Sequence, residues 1–249
     1  MDIKQVRDIT VIDFDDKRYL GISCDSCGGI GTKEHDVVKA SLHLVAYQTG
    51  KVALAELLSL GFSPFLLADG LAVEMDDTGN QLIAGFRDVI SRLKTAKVHL
   101  TGSTEENIPT VQTSMGITCI GICEKDKLKY KKTRAGHVCM LLGLPLVGND
   151  VVNNPDKILD IEDFEILYLS NLIKEMLPVG SRGTEAELKD LCKYNNLGFA
   201  YNENLSVDLT HSGGPSCCCL AVLEEEKIDE VKKLVKKPSE VLGHFVDKQ

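Results

Sequence analysis

Tryptophan is absent, and aromatic residues make up only 5% of the 249 positions. A pocket for a planar ligand in this chain must therefore be lined by aliphatic side chains rather than by stacked rings. Positive charge is also in deficit. Against 37 Asp and Glu stand 28 Lys and Arg, a net charge of −9, which argues against nucleic acid or an anionic membrane as the main partner. No uncharged stretch approaches the ~20 residues that span a bilayer, and no basic segment followed by an apolar one opens the chain, so a cytoplasmic protein is expected. Repeats of solenoid length and low-complexity tracts are missing too.

Cysteine, at nine residues, is plentiful, but its pattern lacks what a structural zinc site needs. Cys24 and Cys27 form one C-x-x-C without a second pair of ligands at similar spacing. The run Cys217-Cys218-Cys219, read as part of a strand, alternates between two faces. Reduced thiols acting as small buried hydrophobes are the expectation. The rest of the composition, 43% hydrophobic and 26% charged, is that of a soluble protein long enough for one large or two small cores. The charged stretch from Lys125 to Arg134 reads as a connection between an N-terminal domain, 1–124, and a C-terminal domain, 125–249.

The stretch 20–38, LGISCDSCGGIGTKEHDVV, organises the first half. Residues 19–24 read as a buried strand with Asp25 at its end. Gly28, Gly29 and Gly31 follow within a few positions, so the backbone can turn tightly and bring its N–H groups close to a ligand. Lys33 and Asp36 add a cation and a second carboxylate, the parts needed for a phosphate chain and its divalent cation. GGIGTK fits neither the Walker loop nor the dinucleotide fingerprint.

Along the chain, residues 9–14 and 19–24 read as strands joined by Asp15-Asp16-Lys17. A mostly buried helix runs from His43 to Leu60 and stops at Gly61. Phe65 to Ala68 is a strand that places Asp69 at its end. An amphipathic helix covers 77–95 from an Asp-Thr cap. A short strand, 98–100, precedes the polar loop 101–107 with Glu105 and Glu106, and 115–124 is a further strand. Acids after three successive strands predict one acidic edge at the strands' carboxyl ends. In the second half, 138–147 is apolar and interrupted by Gly143 and Pro145. Helices are expected over 161–177, from a Thr184 capping box to Tyr194, and over 225–236, with a strand at 217–223. The loop 208–215 carries His211, which either faces a cleft or serves as a surface or capping histidine.

Taken together, these motifs resemble the family of aminoimidazole ribonucleotide (AIR) synthetase, thiamine-monophosphate kinase, selenophosphate synthetase and a hydrogenase-maturation dehydratase. Gly29-Ile30-Gly31-Thr32-Lys33 resembles the synthetase's G-[VI]-G-T-K, and Cys24-Asp25-Ser26 the kinases' T-D-[SA]. Leu100 to Glu105 resembles the family's apolar-G-G-[ED]-T element, and Gly213-Gly214-Pro215-Ser216 a glycine-rich element of its second domain. Within the family, CDSCGGIGTKE with LTGSTEEN is most similar to the α-ribazole kinases of cobamide salvage. The resemblance implies an α/β (α+β), two-domain AIR-synthase-like fold whose N-terminal domains pair into a barrel-like sheet in a homodimer, with ATP and Mg²⁺ as cofactors. Ala55-Glu56 stands where relatives carry a polar N/S-D pair, so Glu56 either replaces a family ligand or marks its loss.

On that reading the chemistry is γ-phosphoryl transfer to a hydroxyl of a small, nucleoside-like substrate. Asp25, Asp36 and Asp69 would hold Mg²⁺, with Glu105 a further ligand. Gly28, Gly29, Gly31, Thr32 and Lys33 would bind the triphosphate, and Gly102, Ser103 and Thr104 form a second cofactor-binding stretch. Glu106 or Asp69 orients the acceptor hydroxyl. Two other classes stay open: an AIR-synthetase-like reaction through an iminophosphate, and a dimer that binds nucleotide without catalysis.

Overall fold

The computed structural model describes residues 2–248, which form two compact units divided between Leu128 and Lys129. Unit 1 contains β1 (Ile3–Val6), β2 (Ile9–Asp13), β3 (Arg18–Gly28), β4 (Ile30–Gly31), β5 (Val38–Lys39), α1 (Leu42–Leu60), β6 (Ser63–Leu71), α2 (Asn80–Ser91), β7 (His99–Thr104) and β8 (Ser114–Glu124). Six of the strands make a mixed sheet in the order β1-β2-β3-β8-β6-β7. Only β6 and β7, joined through α2, run parallel in it; β4 and β5 form a separate parallel pair.

One face of the sheet is covered by α1. Ser23 Oγ on β3 donates to the Ala53 carbonyl of α1 at 2.7 Å, and Val11, Leu67 and Cys119 are fully buried on that side. The helix stops at Gly61, whose φ of 94° no branched residue would tolerate, and its N–H returns to the Leu57 and Leu58 carbonyls. α1 and α2 cross at glycines. A Cβ on Gly85 would lie 2.2 Å from the His43 carbonyl oxygen, and one on Gly50 would lie 2.8 Å from Val89.

Unit 2 contains β9 (Val138–Leu142), α3 (Asn149–Asn153), α4 (Ile161–Leu169), β10 (Glu175–Pro178), α5 (Thr184–Asn195), β11 (Leu197–Tyr201), β12 (Cys219–Leu223), α6 (Ile228–Leu234) and β13 (Ser239–Asp247). Its five strands form an antiparallel sheet in the order β10-β12-β9-β13-β11. Every residue of β9, β10 and β12 is buried, so these strands are covered on both faces. Leu177, Leu188, Leu191, Leu220 and Phe245 share one core.

Several expected boundaries move. β3 continues to Gly28 and β6 to Leu71, so Asp25 and Asp69 lie inside strands rather than at their ends. Residues 101–104 belong to β7 and not to a loop. The helix expected over 77–95 begins only at Asn80, after a tight turn at 75–79 in which Asp77 takes φ 61° and ψ −66°. The expected helix 161–177 ends at Leu169, and its last residues form β10. A capping box does occur in this half, but at Asp160 and Asp163 of α4. At α5 the cap is Gly183, and the buried Thr184 hydroxyl has no partner among the described residues. Among the described residues, no helix is long and apolar enough to cross a membrane.

Candidate functional site

Register brings two of the predicted acids onto one line. Asp25 on β3 pairs with Ile117 on β8, Ile117 with Asp69 on β6, and Asp69 with Gly102 on β7. Residues in register across a sheet share a face. Ser23, two residues before Asp25, bonds to α1, so this is the face that α1 covers. Two strand spacings place the Asp25 and Asp69 Cα atoms about 10 Å apart. The pair lies toward the end of the sheet where β3, β6 and β7 finish and β8 begins.

Asp69 is buried and Asp25 half-buried. Burial pushes Asp69, only 8% exposed, up to about 6, opposed by a single hydrogen bond from the Ser103 backbone. Asp25 is raised as well, first by burial, with the Ser26 backbone pulling the other way. Gly102 makes the Asp69 position possible, because a Cβ there would fall 2.0 Å from Asp69 Oδ1. Any other residue would displace the carboxylate.

The remaining predicted residues build the frame around this end of the sheet. Asp36, 5% exposed, accepts from Thr113 N–H at 2.7 Å through Oδ1, and from Lys33 N–H at 2.9 Å and Thr113 Oγ at 2.7 Å through Oδ2. Burial raises its carboxyl, but these hydrogen bonds outweigh burial and hold it below the usual range. Lys33 Nζ pairs with Glu74 Oε2 at 2.7 Å and donates to the Thr110 carbonyl at 2.9 Å. Glu74 also accepts from the Thr110 N–H and hydroxyl, and Lys33 followed by these bonds brings its carboxyl down to about 2. Glu106 Oε1 accepts from Met75 N–H at 2.9 Å and Thr104 Oγ at 2.6 Å. Glu105 Oε1 caps Asn107 and Ile108 N–H in a local turn.

Within the glycine stretch, Gly28 ends β3, Gly29 turns with φ 73° and Thr32 is exposed. The Gly29 N–H donates to the Thr113 carbonyl at 2.8 Å, so it is already engaged. Ser103 and Thr104 lie with Gly102 on β7, the edge strand. The C-x-x-C falls inside β3, where residues three apart face opposite sides, so Cys24 and Cys27 do not converge.

Mg²⁺ keeps several waters and is commonly held by one or two carboxylates together with nucleotide phosphates. The buried Asp69 and the half-buried Asp25 suit that demand. No three His, Cys, Asp or Glu among the described residues gather into a metal cage. Sequence reasoning missed Glu74, Thr110 and Thr113. Glu74 lies 41 residues from Lys33 and 36 from Thr110, beyond any local pattern.

No family model matches this sequence, and no curated protein does. Solved structures do match. PurL of T. maritima complexed with ADP has a TM-score of 0.65 at 16% identity, over 96% of this chain and 42% of the PurL chain. Thiamine-monophosphate kinase from Stenotrophomonas maltophilia has a TM-score of 0.67 at 14% identity, over 100% of this chain and 90% of its own. The chain has an AIR-synthase-like fold. AaThiL complexed with AMPPCP and TMP shares it, with a TM-score of 0.66 at 11% identity over 97% and 85% of the two chains. At such identities the likeness is one of fold, and this chain spans less than half of PurL.

Proposed function

We propose that the chain is an ATP-dependent small-molecule kinase, and that its acceptor is the 5′-hydroxyl of α-ribazole. The observation that carries the kinase reading is the row Asp25–Ile117–Asp69–Gly102, two desolvated carboxylates on one covered face. An AIR-synthase-like fold, found in structures complexed with ADP and AMPPCP, supports ATP as the donor. The acceptor rests on the resemblance of CDSCGGIGTKE and LTGSTEEN to α-ribazole kinases.

Asp69, with a proton affinity near neutral pH, is the better candidate to orient the acceptor hydroxyl and take its proton. Glu106 is the poorer one, since one oxygen already serves Met75 and Thr104. Asp25 then remains as the carboxylate for Mg²⁺, which when bound neutralises charge on the phosphates. Lys33, tied to Glu74 and Thr110, positions the glycine loop against 110–113.

The proposal includes a homodimer. The uncovered face of the unit 1 sheet carries Ile22, Cys24, Thr118, Ile120, Leu66 and Ala68 in register, all at least partly exposed. Across β3, β8 and β6, from the row of Leu20 to that of Ser26, this face bears no charged residue. Such a surface favours burial against a partner, and a second copy offers the same uncharged face. The acceptor is tested by a panel of nucleosides, benzimidazole ribosides and thiamine-like alcohols, scored for ADP release. α-Ribazole should react fastest; a faster reaction with another alcohol would reject this acceptor.

A further inference from the structure

The setting of Asp69 depends on a strand that has a neighbour on one side only. Among the described residues β7 is an edge strand, paired with β6 alone, and its Thr101, Gly102 and Ser103 are exposed. Yet Gly102 stands in register with Asp69, and a Cβ there would fall 2.0 Å from Oδ1. The Ser103 backbone supplies a hydrogen bond to the same carboxyl. Strands at an edge open locally from their ends, and a glycine close to the end makes opening easier. Whatever holds β7 in place beyond Ser103 therefore also holds the wall of Asp69.

Two residues beyond Ser103 do this, and both reach the chain just after β6. Glu105 N–H donates to the Val73 carbonyl at 3.1 Å. Glu106 Oε1 accepts from Thr104 Oγ at 2.6 Å and from Met75 N–H at 2.9 Å. Thr104 is the last residue of β7 and pairs with Leu71, the last of β6. One carboxylate oxygen thus joins the outgoing ends of the two strands, and hydrogen bonds to a charged acceptor are short and strong. Glu106 is itself exposed, where a substitution changes the stability of the whole fold little. What its bonds fix is the place of β7.

We propose that Glu106 is a positioning residue of the candidate site: by pinning the end of β7 to the segment after β6, its Oε1 keeps Gly102 and the Ser103 N–H against the Asp69 carboxylate. That Asp69 serves phosphoryl transfer rests on the kinase reading; that Glu106 pins β7 does not. The role needs an oxygen that accepts two hydrogen bonds and no ionisation, so glutamine can fill it and alanine cannot. A group that bonded the acceptor hydroxyl and took its proton would need the carboxylate itself.

Hydrogen exchange of the full, nucleotide-free chain, followed amide by amide by NMR, tests the pinning without any phosphoryl transfer. In Glu106→Ala the Ser103 and Glu105 amides should exchange about tenfold faster, as the loss of one hydrogen bond to a charged group implies, while amides in the middle of β3 and β8 keep their rates. Glu106→Gln should stay within about threefold of the parent. Thr104→Val removes the donor from the other side of the same bond and should reproduce part of the effect, so a Glu106→Ala chain that failed to fold would not end the test. Unchanged Ser103 exchange in Glu106→Ala and Thr104→Val, or an equal loss in Glu106→Gln, would overturn the proposal. ADP formation with ATP, Mg²⁺ and α-ribazole is scored on the same variants. In Glu106→Ala kcat should fall about tenfold or more, with KM for ATP within about threefold, and Glu106→Gln should restore it. A Glu106→Gln chain as inactive as Glu106→Ala, with Ser103 still protected, would place Glu106 on the substrate and overturn the proposal as well. A parent chain that protects Ser103 but transfers no phosphoryl group would overturn the kinase reading alone.

Discussion

The clearest chemistry at the residue scale is that of Asp69. Its carboxyl is raised from 3.8 to about 6 by burial, so the folded chain holds this proton more tightly than the unfolded one. The associated stability is complete below about pH 4 and is lost as pH rises through about 6. A difference of about two pH units corresponds to about 3 kcal/mol. Asp69→Asn, which cannot ionise, should therefore stabilise the nucleotide-free protein by about 2 kcal/mol at about pH 8 and by little at about pH 4, while removing phosphoryl transfer. Denaturant midpoints of the two proteins at both pH values check this; a difference independent of pH would contradict it. The sequence set Asp25 and Asp69 at strand ends because each follows an apolar run, and the structure carries both strands past them. Glu74 was not legible, because its meaning comes from Lys33 and Thr110, which only the folded chain brings to it. Asp36 was visible as an acid beside a glycine loop, but not as the clamp on Lys33 and Thr113 that its oxygens form.

Elements are held by close approach where the sequence shows only glycine. The crossing of α1 and α2 at Gly50 and Gly85 leaves no room for a methyl group, since the obstacle at Gly85 is the His43 backbone carbonyl rather than a flexible side chain. Gly85→Ala should cost about 1–3 kcal/mol, as overpacking usually does, despite the better helix propensity of alanine. A lowered denaturant midpoint at unchanged slope is the expected reading, and an unchanged or raised midpoint would show that the helices can separate freely. Apolar runs located β3, β6 and β8, and helical periodicity located α1 and α2. Periodicity failed over 161–177, where a helix and a strand buried on both faces follow one another with the same apolar composition. It also missed β13, whose alternation is broken by an irregularity between Val241 and Gly243.

For the whole molecule, the sheet of unit 1 determines what kind of assembly is expected. β8 alternates between buried and partly exposed residues along its length, and the partly exposed set is uncharged. The structure shows which face of this sheet α1 covers and which it leaves open. If two copies close over this face, Thr118→Arg, which buries a charge at its centre, should give a monomer by sedimentation at concentrations where the parent chain is a dimer. A parent chain that is already monomeric would remove the dimer from the account. The central claim, phosphoryl transfer from ATP to α-ribazole, is tested most directly by mass spectrometry of the riboside after incubation with the protein, ATP and Mg²⁺. The account predicts α-ribazole phosphate and ADP in equal amounts, with neither formed by Asp69→Asn. It would be contradicted if α-ribazole stayed unmodified while ATP was consumed with another alcohol or an amide substrate.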